Sequence, residues 1–125
     1  MRSLSVIALV GLLAGVAFSA PAETLKAQKV MGVGAVEVTL TLSDKAYEWA
    51  SRDGHLADSV TWGDVQRWAC GPNADWGLLL RLHVHHMPGV EEFRFTHDDL
   101  VTIVKKYLQK YAADKMDPQE GCNPD

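Results

Sequence analysis

Cysteine is scarce in this chain, which has two in 125 residues, Cys70 and Cys122. No Cys-x-x-Cys pair occurs, so a four-thiolate or similar structural zinc site has no ligands. Basic clusters are also missing. Apart from Lys105, Lys106 and Lys110, the Lys and Arg residues are scattered, and acidic residues outnumber them sixteen to twelve. That balance excludes a nucleic-acid binder, which needs a basic face. Familiar catalytic signatures are absent too. The chain has no Gly-x-Ser-x-Gly turn, no phosphate loop and no His-Glu-x-x-His. It contains no internal repeat and no low-complexity tract. Gly32-Val33-Gly34 reads as a bend before a strand.

Residues 1–22 do carry a definite pattern. Arg2 supplies an early positive charge, Val6 to Phe18 is apolar and uncharged, and Ala20-Pro21-Ala22 precedes Glu23. A charged head, a short apolar run and an Ala-x-Ala step make a secretory signal peptide. The run is too short to span a bilayer, which takes about twenty apolar residues. Residues 23–125 are then one exported domain, periplasmic or extracellular, with no membrane span once the leader is removed. Losing Arg2 leaves eleven basic against sixteen acidic residues, a net charge of −5. In an oxidising compartment, Cys70 and Cys122 read as a disulfide that ties down the tail.

Periodicity predicts a mixed fold. Glu23 to Lys29 reads as a loose lead-in or short helix. Val36, Val38, Leu40 and Leu42 alternate with polar residues over 35–42, the mark of a half-buried strand. Ser43 offers an N-cap for a helix over 44–52, which Asp53-Gly54 ends. Thr61 with Asp64 has capping-box spacing for a second helix, whose buried side is Trp62, Val65, Trp68 and Ala69. Leu78 to His85 alternates again, and His86-Met87-Pro88-Gly89 turns the chain back through Val90 to Phe95, giving a hairpin. Thr96 and Asp99 open a last helix, with Leu100, Val104, Tyr107, Leu108 and Tyr111 as its stripe. The expected fold is a small two-layer α+β domain. Its short antiparallel sheet, the 78–95 hairpin plus strand 35–42, packs against two or three helices.

Three features bear on function. His83 and His85 lie two apart on a strand and project from one face, a spacing that suits Zn or Cu. His97, His55 and Glu92 are the candidate further ligands. Arg81, His83 and His85 can also meet Glu92 and Arg94 across the hairpin, the equipment of a small hydrolase: a base, an acid and a guanidinium for phosphate oxygens. Trp76, in a loop after Asn73-Ala74-Asp75, is a candidate contact residue. In size, leader and cysteine pair the chain is similar in format to small periplasmic immunity proteins and acid-stress chaperones, though no motif carries that similarity. The reading is a small exported, non-enzymatic binding protein of inhibitor or immunity type whose partner is another protein. The alternatives are a metal-binding protein through His83 and His85 and a small hydrolase on the hairpin face.

Overall fold

The computed structural model describes residues 22–124, so the expected signal peptide, apart from Ala22, lies outside the described residues. Seven strands form one antiparallel sheet: β1 (Glu23–Met31), β2 (Gly34–Leu42), β3 (Ala46–Ser51), β4 (Ala57–Thr61), β5 (Val65–Asn73), β6 (Gly77–Val84) and β7 (Val90–Arg94). Their order across the sheet is β4-β3-β2-β1-β7-β6-β5. The edge strands β4 and β5 are thus far apart in the sheet but separated by only residues 62–64 in the chain. Four peptide steps reach at most ~14 Å, whereas a flat seven-stranded sheet puts its edges ~29 Å apart. The sheet therefore has to curl back on itself. Inward side chains from every strand join those of one helix in a single core that includes Leu40, Tyr47, Val60, Trp68, Leu80, Phe93 and Leu108.

This architecture corrects the α+β expectation of two or three helices. Within residues 44–52 the chain forms the strand β3, Ala46–Ser51, with Tyr47, Trp49 and Ser51 buried and Glu48 exposed. Ser43 does accept backbone bonds, from Lys45 and Ala46, but it closes a turn and not a helix. Tyr47 and Trp49 fit a strand better than a helix, and five register pairs with β2 settle the outcome. The second expected helix is β5. Thr61 makes no side-chain cap bond, and residues 62–64 form only a single 3-10 turn. A bulge at Gln66 shifts the register between Val65 and Arg67. Val65 and Trp68 are consequently both buried while three residues apart, which imitates helical spacing. The expected lead-in is β1, where Leu25, Ala27 and Lys29 share the inward side and the charge of Lys29 conceals the alternation.

The strand expected at 35–42 lies in β2, and the 78–95 hairpin is β6 and β7, paired from Leu79–Arg94 to His83–Val90. One helix, α1, runs over residues 97–111 with a widened π-type turn at Val104–Leu108. Thr96 caps it by accepting the Asp99 N–H at 3.3 Å. Leu100, Ile103, Val104 and Leu108 pack into the core, and Tyr107 and Tyr111 stack on Trp62 with centroids 5.8 and 6.0 Å away. Cys70 and Cys122 form the disulfide. Among the described residues no helix is long and apolar enough to cross a membrane.

Candidate functional site

β1 and β7 run antiparallel, with Lys29 opposite Phe93. The β1–β2 turn, the β3–β4 loop and the β6–β7 loop therefore gather at one end of the sheet. Four of the exposed large apolar residues sit on these connections or beside them: Met31, Val33, Leu56 and Val90. Val33 is as exposed as an isolated residue, at 102%.

The β1–β2 hairpin extends beyond its neighbours. β7 meets β1 only at Gln28 and Lys29, and the β2–β3 register ends at Val38–Ser51. Val30 and Met31 are thus in register only with Ala35 and Gly34, and Val36 and Glu37 only with Lys29 and Gln28, so residues 30–37 continue as a two-stranded arm. Its sequence from Val30 to Val36 contains no charge. Gly32 makes the tip possible, because its φ of 63° is open to glycine and costly for side chains with a Cβ.

Beside the arm's β2 strand lies a cleft of about 600 Å³. Val36 and Glu37 form one wall, and Arg52, Asp53, His55 and Leu56 form the other. The loop wall is braced internally. Asp53 Oδ1 accepts from the Ser51 hydroxyl at 2.7 Å and from the His55 N–H at 3.0 Å, and Ser51 Oγ accepts from the Leu56 N–H at 3.1 Å. The His55 N–H, and after it the Ser51 hydroxyl, hold the Asp53 carboxyl below its usual range.

Beneath this end a carboxylate is sealed in the core. Glu91 is 0% exposed. It accepts from the Tyr47 hydroxyl and from Trp49 Nε1, and Lys29 Nζ lies 3.6 Å from its Oε2. Lys29 Nζ also sits over the rings of Trp49 and Phe93, at 5.0 and 5.2 Å. Burial, reinforced by the Glu91 carboxylate, pushes the Tyr47 hydroxyl far above its usual pKa. Sequence reasoning missed Lys29 and Glu91, although a signal existed: Glu91 shares strand parity with Phe93, and Lys29 with Leu25 and Ala27.

His86 fastens the seam where the sheet curls. Its Nε2 lies 2.7 Å from Asp58 Oδ2 on β4, and its Nδ1 meets Asp64 in the turn before β5. The bonds to Asp64 and then Asp58 raise its pKa from 6.5 to about 9.

Of the residues expected to act together on the outer face, Arg81 stands opposite Glu92, and Arg81 and His83 line one cleft with Arg67, Asp117 and Glu120. His83 Nε2 is 3.5 Å from Arg67 Nη2, and His85 Nδ1 is 3.1 Å from Gln66 Nε2. His55 lies on the β3–β4 loop and His97 is the first residue of α1. Among the described residues no group of three His, Cys, Asp or Glu is placed to hold a metal. Arg81 Nε donates to Glu92 at 2.9 Å and its Nη1 to Glu120 at 3.3 Å. Arg94 donates to Gln28 at 3.1 Å. Glu92 is thus held by Arg81, and the Arg94 guanidinium is engaged by Gln28. Trp76 is half-buried in the β5–β6 turn, at the end of the sheet away from the arm, and its N–H donates to Asn73 Oδ1.

No family model and no curated protein matches the chain. Among solved structures it is similar to the hSac2 domain of the human phosphoinositide phosphatase Sac2. The TM-score is 0.56 at 15% identity, over 80% of this chain and 73% of that one. This likeness is one of fold.

Proposed function

We propose that this chain is a small exported, non-enzymatic binding protein, periplasmic or extracellular, that engages another protein in the manner of an inhibitor or immunity module. The observation that carries the reading is the projecting, uncharged arm over residues 30–36, with Val33 wholly exposed at its tip. Exposed apolar residues scattered singly need no explanation, but a cluster at one end of a domain marks a contact surface. The disulfide supports an oxidising compartment. The phosphatase named by the structural neighbour lends no activity to this chain.

The test is capture from an envelope extract by the mature protein, beside a Met31→Asp/Val33→Asp variant and with metal analysis of untagged material. A specific protein retained by the wild type and lost with the variant is the expected result. No captured protein, or Zn or Cu bound one-to-one and abolished by His83→Ala/His85→Ala, would displace this reading.

A further inference from the structure

We infer that the cleft beside the arm receives an extended peptide segment of the partner, which adds as a strand to the free margin of β2 and seats an apolar side chain between Val36 and Leu56. The inference rests on the binding reading above and specifies its contact.

Backbone direction is the first argument. The Ser43 N–H bonds the Ala46 carbonyl, so odd-numbered residues of β2 direct their N–H and C=O toward β3. That alternation continues to Ala35, beyond the last register pair at Val38–Ser51. Ala35 consequently presents its backbone donor and acceptor toward the cleft and not toward β1. An unpaired strand margin is a template for another strand, and a peptide added there gains main-chain bonds while its alternate side chains enter pockets.

The cleft supplies such a pocket. Val36 and Leu56 face it from opposite walls, and its volume of about 600 Å³ exceeds what one side chain fills. Its wall charges discriminate between occupants. Arg52, Asp53 and Glu37 stand around the apolar pair, and a lipid surface would have to strip water from all three, which is costly. A peptide leaves them at a wet rim. A second copy of this chain would pair only the few arm residues, well short of the ~1,200 Å² that specific interfaces bury. The fold already covers another margin, since the tail bridges β5 at Trp68 and Cys70.

The experiment is selection of random octapeptides displayed on phage against the full mature protein, followed by titration of the enriched synthetic peptide. It should bind wild type, lose roughly tenfold or more in affinity with Val36→Asp and separately with Leu56→Asp, and hold its affinity with Met116→Asp on the tail. Methylating one backbone nitrogen of the peptide should abolish binding, while methylating the adjacent one should not, because only alternate N–H groups face β2. Val36 also packs on the edge of the core, so near-ultraviolet circular dichroism verifies that both variants fold. No enriched peptide, binding indifferent to Val36→Asp and Leu56→Asp, or equal tolerance of methylation at both nitrogens would overturn the inference. So would a concentration-dependent dimer lost in Val36→Asp, or co-sedimentation with phosphatidylcholine vesicles lost in Val33→Asp. If an envelope protein is captured but is indifferent to Val36→Asp and Leu56→Asp, the binding function stands and the cleft assignment fails.

Discussion

Along the outer margin of β5 the tail makes three backbone hydrogen bonds: Asp117 N–H to Trp68 O at 2.8 Å, Cys70 N–H to Gly121 O and Asn123 N–H to Cys70 O, both at 3.1 Å. The Cys70–Cys122 disulfide fastens the strap covalently. Arg67 reaches Asp117 at 3.3 Å and Arg81 reaches Glu120 at 3.3 Å. Around the arm of residues 30–37 nothing equivalent occurs among the described residues. A margin without Lys, Pro or covering chain invites association, and this protein covers the β5 margin while leaving that of the arm apolar from Val30 to Val36. On the binding proposal, the arm is the region kept for a partner, while the tail serves as structural closure.

The comparison can be broken at several points. Removing the buried carboxylate beneath the arm should have the largest effect. Glu91→Ala strands Lys29 in the core and should cost about 3–5 kcal/mol, measured by urea unfolding. A loss below about 1 kcal/mol would mean that the core at this end is not sealed. Next is the strap. Cys70→Ser with Cys122→Ser opens a loop with a sequence separation of 52, and should cost about 2–4 kcal/mol. Amide exchange should then accelerate at position 70 and at Asp117 without changing the arm.

The seam at His86 gives a smaller, pH-dependent effect. Its pKa rises on folding from 6.5 to about 9, so its stabilisation is complete below about pH 6.5 and disappears as pH climbs through about 9. The melting-temperature gap between wild type and His86→Gln should be widest near pH 6 and close by pH 10. A gap that grows with pH would refute the bridge to Asp58 and Asp64. The smallest change is expected at the tip, where Val33→Asp should alter stability by under about 0.5 kcal/mol. A larger loss in thermal melts would make the tip part of the core packing.

How much of this was legible in advance varied with the range of the forces involved. The last helix was readable because Thr96, Asp99 and its apolar stripe are local signals that agree. Arg81 and Glu92 were readable as facing residues because a short hairpin sets their register. Strand β5 was not, since the bulge at Gln66 gave Val65 and Trp68 a helical interval. Nor was β3, whose Ser43 bonds its neighbours equally well in a turn. At the candidate site, Glu91 had a parity signal that its charge obscured. The projection of the arm had none. It depends on where β3 and β7 stop, which is a property of the whole sheet and not of residues 30–37.

The account stands most directly on where a partner touches. Amide hydrogen exchange of the mature protein, alone and with a protein retained in the capture experiment, locates that contact. New protection is expected over residues 30–37 and 52–56, with residues 68–73 and 116–123 already slow and unchanged. Protection confined to the tail side, with the arm exchanging as fast in the complex as alone, would contradict it.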